Sequence, residues 1–137
     1  MLTALTLAAN SGVDVRIVLP GIPDKWYVYY VTQSYYKALI SAGIKIYEYT
    51  PGFVHAKMYV SDDIQAIVGG ANTDYRSMYL NFENCCSFYG GSIGADVKAD
   101  FREMFSHSHP VTEKDVNNTS FFKRLCQIFF RVLGPMM

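Results

Sequence analysis

The feature that most constrains this chain is a change of hydrophobic period, made twice within residues 2–49. Leu2, Leu5, Leu7, Ala8 and Ala9 have the spacing of an amphipathic helix, and Gly12 supplies a left-handed stop. Val13 to Leu19 then alternates and turns fully apolar before Pro20, as a strand entering a buried sheet does. After the Pro20-Gly21-Ile22-Pro23 loop, Asp24 stands where it can cap a helix over about 24–42. That helix carries Val28, Val31, Tyr35, Leu39 and Ala42 on one face and ends at Gly43. Ile44 to Tyr49 alternates again. Helix, strand, helix, strand with short connections is the rhythm of an α/β domain with a largely parallel sheet.

The rest of the chain adds elements of both kinds. Val54 to Val60 and Ile64 to Val68 read as two strands, and the polar Ser61-Asp62-Asp63 between them as a hairpin turn. Asn81 to Tyr89 reads as a further strand. Helices are expected over Ala95 to His107 and Thr119 to Leu133, with a short capped turn at Thr112-Glu113-Lys114-Asp115. The expected architecture is one α/β domain over 1–137, its mixed, largely parallel sheet flanked by helices on both faces.

At 137 residues the chain is the length of one domain, and 50% apolar residues exclude intrinsic disorder. Twelve basic and twelve acidic side chains cancel, which argues against a protein held on nucleic acid by counterion release. No apolar run reaches the roughly 18 residues of a membrane span, and Met1 to Asn10 has no basic segment of the kind that opens a signal peptide. Cys85, Cys86 and Cys126 do not make a disulfide framework and read as packed thiols.

The residue types that carry chemistry fall between positions 55 and 83. His55 and Lys57 are two apart on an expected strand, so an imidazole and an ammonium project from one face and make an anion site. Gly69-Gly70 ends the next strand and lets backbone approach a ligand closely. Asn72 adds an amide donor. On the residues alone, a hairpin bearing a surface His and Lys at chance spacing accounts for the pattern equally well.

The spacing H-x-K, four residues, D, six residues, G-x-x-N, filled here by His55, Lys57, Asp62, Gly69 and Asn72, resembles the phospholipase D superfamily. Outside that motif, Gly12 to Arg16 with its following Leu-Pro, Pro23-Asp24-Lys25, Ala42-Gly43-Ile44, Asn72-x-Asp74-x-Arg76-Ser77 and Leu80 to Glu83 are similar to the C-terminal half of bacterial cardiolipin synthases. The resemblance implies metal-free and cofactor-free phosphoryl transfer between two histidines. His55 would act as general acid and then base, Lys57 and Asn72 would face the non-bridging oxygens, and Glu83 would hold the imidazole. Asp62 is expected as an architectural ion-pair residue, Gly69 and Gly70 as supports, and Asp74 with Arg76 as a structural pair. The family usually has Ser or Thr where this chain has Gly70, leaving backbone N–H groups to substitute for a hydroxyl. His107-Ser108-His109 has ligand-like spacing but reads as a solvated helix end.

Only one H-x-K occurs in the chain, whereas the family's chemistry needs two. The expectation is therefore a second lobe, in a longer parent chain or in a homodimer mate. The implied partners are phosphatidylglycerol, other anionic phospholipid and a membrane surface, with no nucleic acid. The implied location is the bacterial cell membrane, with this lobe on the cytoplasmic side. Alternatives are a phospholipase or nuclease that transfers to water, and a non-catalytic dimerisation or lipid-binding lobe. Phe121 to Leu133, with Lys123, Arg124 and Arg131 among bulky apolar residues, reads either as an interfacial helix or as a core helix.

Overall fold

The structure, a computed structural model, describes residues 1–134; the last three residues of the expected domain lie outside it. It opens with α1 (Leu2–Asn10), β1 (Arg16–Pro20), α2 (Trp26–Ser34), α3 (Tyr36–Ser41) and β2 (Lys45–Tyr49). The strands β3 (Met58–Ser61) and β4 (Gln65–Gly69), the short helix α4 (Tyr75–Tyr79) and β5 (Cys85–Tyr89) follow. The chain closes with α5 (Ile93–Ser106), β6 (Ser108–Val111), α6 (Glu113–Asn117) and α7 (Phe121–Leu133).

The α/β class is as expected, but the strands form two three-stranded sheets, ordered β1-β2-β6 and β3-β4-β5. Among the described residues the β1–β2 pairing is parallel, and the other three pairings are antiparallel. The parallel share is thus smaller than expected. The reason is β6, an edge strand read from sequence as a helix end: its four residues include Pro110, which an edge tolerates because no ladder donor is needed there.

Two glycines set the first half of the fold. Gly12 and Gly43 have φ of 91° and 84°, and each closes a helix by the same pair of bonds. Val13 N–H donates to the Ala8 carbonyl and Gly12 N–H to that of Ala9; Ile44 and Gly43 do the same to Leu39 and Ile40. Each cap turns the chain into a β1 or β2 strand. The helix expected over 24–42 is broken at Tyr35. Thr32 and Ser34 hydroxyls donate back to the carbonyls of Val28 and Val31 at 3.0 and 2.6 Å, the local competition that bends helices. The expected apolar face shifts accordingly: Tyr36 and Leu39 are buried while Val28 is exposed. Asp24 does not cap α2, whose N-cap position is Lys25.

Helices cover both faces of the β1-β2-β6 sheet. On one, Ile44 and Ile46 pack with Tyr36 and Leu39 into the core, flanked by Leu2, Leu5, Ile17 and Leu19. Tyr29 and Tyr36 hydroxyls both donate to Glu48 Oε1, at 2.9 and 2.8 Å. Burial chiefly, and then the neighbouring carboxylate, push the Tyr29 phenol up to about 12 and that of Tyr36 higher still. On the other face Tyr47 meets Phe105 of α5, ring centroids 4.6 Å apart. Asp14 ties β1 to β2 through Arg16 at 2.6 Å and Lys45 at 2.9 Å, and those bonds lower its carboxyl to about 2.

The candidate active site

The expected hairpin is present. Asp62 and Asp63 both have positive φ, 53° and 59°, the backbone of a primed turn, and Ile64 N–H donates to the Ser61 carbonyl at 3.2 Å. A side-chain β-carbon at Gly94 would lie 2.5 Å from the Asp63 carbonyl oxygen, so a glycine is what lets α5 seat against the turn. Lys98 of α5 closes an ion pair on Asp63. That corrects one expectation. Asp62 makes no ion pair among the described residues; its carboxylate accepts from the Ser61 hydroxyl, and the neighbouring Asp63 holds the cation.

The site residues lie at the opposite end of this sheet. His55 and Lys57 precede β3 rather than lying within it, because β4 stops at Gly69 and offers nothing further to pair with. The last link is Gly69 N–H to the Lys57 carbonyl at 3.1 Å. Across β4, Gly70 N–H donates to the Asn84 carbonyl at 3.0 Å. Three stretches, His55 to Lys57, Gly69 to Asn72 and Glu83 to Cys85, are therefore laced together at one sheet end.

Each side chain in that group has a definite setting. His55 is exposed, its ring stacked on Phe53 at 5.8 Å with planes 20° apart. The half-buried Lys57 turns its ammonium onto the His55 carbonyl at 2.9 Å, so its charge stays beside residue 55. Asn72 is exposed on the loop leaving β4. That loop is anchored one residue earlier, where the Tyr59 hydroxyl donates to the Ala71 carbonyl at 3.0 Å. Burial is the main cause that raises the Tyr59 phenol, keeping it a donor.

Glu83 is half-buried and accepts from Asn81 Nδ2 at 3.1 Å; among the described residues no hydrogen bond joins it to His55. Asn81 is held in turn by Arg76 Nε at 3.4 Å and by its own N–H on the Arg76 carbonyl. The glycine pair explains where the carboxylate sits. A β-carbon at Gly70 would stand 3.0 Å from Glu83 Oε2, so Glu83 occupies the space a side chain at 70 would need. At Gly69 a β-carbon would be 2.5 Å from the Asn84 carbonyl oxygen and 2.6 Å from Cys85 Cα, which leaves no room for any other residue.

Asp74 and Arg76 do not pair. Asp74 caps α4 by accepting from Ser77 N–H at 2.7 Å, and Arg76 serves Asn81. Cys85 and Cys86 are exposed rather than packed, and Cys126 is half-buried. His109 lies in β6, 3.8 Å from Asp115, not at a helix end. Sequence reasoning missed Phe53, Tyr59 and Asn81. The first and last stand two positions before His55 and Glu83, the spacing that shares a face in extended chain.

Chemically, the backbone stretches laced at this sheet end carry an ammonium, an amide and an accessible imidazole, with the Glu83 carboxylate against Gly70. Such a group suits an anion with a proton to give or take. Among the described residues no cluster of three His, Cys, Asp or Glu is close enough to hold a metal ion.

Known proteins share the sequence and the fold of this chain. Residues 1–105 match the family described as cardiolipin synthase, PLD-like domain, and the chain belongs to that family. It is 43% identical over 138 residues to a cardiolipin synthase of Geobacillus thermodenitrificans, which covers all of this chain and 27% of that protein. It is also 43% identical over 134 residues to an uncharacterized protein of Streptococcus mutans, covering 98% of this chain and 29% of that one. The chain thus spans between a quarter and a third of the length of these relatives. Its fold is shared with a phospholipase D family member, Nuc from Salmonella typhimurium. The TM-score is 0.71 at 18% identity, over 82% of this chain and 73% of that one.

Proposed function

We propose that the chain is the second H-x-K lobe of a cardiolipin synthase-type phosphatidyltransferase, which joins two phosphatidylglycerol molecules and releases glycerol. The observation that carries this is the in-register motif whose parts meet at one sheet end, in a chain 43% identical throughout to a cardiolipin synthase. The second histidine comes from another lobe, in a longer parent chain or a homodimer mate, at the cytoplasmic side of a bacterial membrane.

In the first step the other lobe's histidine nitrogen attacks the phosphorus of phosphatidylglycerol. The bond from phosphorus to the glycerol oxygen breaks, and protonated His55 gives that oxygen its proton. In the second step neutral His55 takes the proton from a hydroxyl of another phosphatidylglycerol. That oxygen bonds to phosphorus and displaces the histidine nitrogen, so the enzyme returns to its starting state. Negative charge gathers on the non-bridging oxygens in both steps, and Lys57 and Asn72 are the donors for it; a preorganised donor of this kind is worth ~3 kcal/mol of barrier. Glu83, seated against Gly70 and held by Asn81, supports the imidazolium that forms at His55. Asp62 and Gly69 act on the hairpin and the sheet end, not on the phosphate.

Product analysis tests the reading. A two-motif protein carrying this lobe, given labelled phosphatidylglycerol, should form cardiolipin and glycerol in equal amounts. Phosphatidic acid in place of cardiolipin would mean transfer to water. DNA cleavage with phosphatidylglycerol untouched would remove the lipid assignment altogether.

A further inference from the structure

Helix α7 sits with its apolar side outward. Its inward side is aromatic and cationic. Phe130 packs edge-on against Trp26 at 5.3 Å and beside Tyr30 at 6.4 Å, while Lys123 and Arg131 lie over the rings of Tyr30 and Tyr35 at 5.8 and 4.5 Å. The outward side consists of Phe121, Phe122, Leu125, Ile128, Phe129 and Val132, each between 55% and 84% exposed. At helical spacing these six fill one continuous sector of roughly 120°. A water-facing helix normally shows the reverse, and an apolar surface of this kind marks an interaction site. The helix also lies beyond residues 1–105, where the family match ends.

A second feature identifies the occupant. A cleft of about 470 Å³ runs along α7, and Lys37, Lys123, Arg124 and Arg131 line it. Among the described residues none of these four cations pairs with a carboxylate. Two acids, Glu48 and Asp115, line the same cleft, so four cations stand against two carboxylates, and Arg124 also donates to the Val116 and Asn117 carbonyls that end α6. Ile128 belongs both to this cleft and to the exposed face, so a net excess of positive charge adjoins the apolar surface.

We propose that α7 is an in-plane docking helix for an anionic lipid bilayer. Its apolar face enters the acyl region, and the four cations meet head-group phosphates at its flank. Thirteen residues rise only about 20 Å, short of the ~30 Å hydrocarbon core, so the helix lies on the bilayer. Among the described residues no helix is long and apolar enough to cross a membrane. A second copy of the chain, with twelve acidic and twelve basic side chains, brings no excess of negative charge to the cleft, whereas an anionic bilayer does. The inference goes beyond the catalytic reading and does not depend on His55.

The test is sedimentation of the chain with vesicles of phosphatidylcholine alone and of phosphatidylcholine mixed with phosphatidylglycerol. Fluorescence of Trp26, the one tryptophan, serves as a second readout because it touches α7. The chain should bind the mixed vesicles more tightly, with Trp26 emission moving to the blue. Ile128→Asn combined with Phe129→Asn should weaken partitioning by about tenfold or more. Arg124→Gln and Arg131→Gln should each weaken binding to mixed vesicles roughly fivefold and leave binding to neutral ones unchanged. Far-UV circular dichroism checks that the variants fold. Absence of binding to mixed vesicles overturns the proposal, as does equal binding by the α7 variants. So does an Ile128→Asn variant that turns a dimer into a monomer without changing vesicle binding. Lipid turnover is not part of the readout, so failure here leaves the catalytic reading standing.

Discussion

At the β1-β2-β6 sheet, Ile46 of β2 and Ile44 just before it are sealed at 1% and 2% exposure against Tyr36 and Leu39. In the β3-β4-β5 sheet, Ala66 is the buried apolar residue, while Val68 and Tyr89, and Phe82 just before β5, stand open to solvent. The first sheet is fastened by its core. The second is fastened by bonds: its ladders, the Lys98–Asp63 pair at the turn and the Tyr59–Ala71 bond at the site end. The contrast shows how one small chain divides the work, with the fold secured where nothing must react and polar groups displayed where little is buried.

That division is open to direct attack by mutation. Ile46→Ala removes buried atoms and leaves a cavity, so it should cost about 2–5 kcal/mol in urea unfolding. Phe82→Ala, at a fully exposed position, should change stability by less than about 0.5 kcal/mol. Equal losses for the two would erase the distinction.

The glycine pair sharpens it further. Gly69→Ala drives a β-carbon into backbone atoms of Asn84 and Cys85, and should cost roughly 1–3 kcal/mol while prying β4 from β5. Gly70→Ala presses only on the end of the Glu83 side chain, which can move by a few tenths of an ångström. It should leave the unfolding midpoint nearly unchanged and lower lipid turnover. A Gly70→Ala protein with full activity would detach Glu83 from the mechanism.

The smallest effect is electrostatic and belongs to the well-buried sheet. Asp14 is lowered from 3.8 to about 2 by its bonds to Arg16 and Lys45. It therefore stabilises the folded state above the unfolded value near 3.8, and that contribution is lost as pH falls toward about 2. Since all three side chains are roughly half exposed, the amount is at most about 1 kcal/mol. Unfolding of Asp14→Asn should show a flatter acid limb over that window and no change in slope near neutrality.

Much of this was legible in the residues because it depends on local rules. Gly12 and Gly43 mark the helix ends, the hairpin at Ser61 to Asp63 follows from turn chemistry, and Thr112 with Asp115 forms the capping box expected of that turn. The motif spacing likewise put His55, Lys57, Gly69 and Asn72 at one sheet end. Features settled by tertiary contact were not legible. Asp62 and Asp63 share one turn, and only the position of α5 decides that Asp63 receives Lys98. β6 is a strand because β2 offers an open edge, which Ser108 to Val111 could not announce. The pattern of α7 reveals two faces, but the rings of Trp26, Tyr30 and Tyr35 decide which one turns inward.

The most direct measurement is cardiolipin formation from labelled phosphatidylglycerol by a two-motif protein carrying this lobe, compared with its His55→Ala variant. Loss of a general acid and base should lower the rate at least a hundredfold, toward about ten-thousandfold, with urea unfolding unaltered because the exposed ring lies against Phe53 at the surface. A variant that unfolds as the parent does and still makes cardiolipin at the parent's rate would contradict the placement of the chemistry at this sheet end.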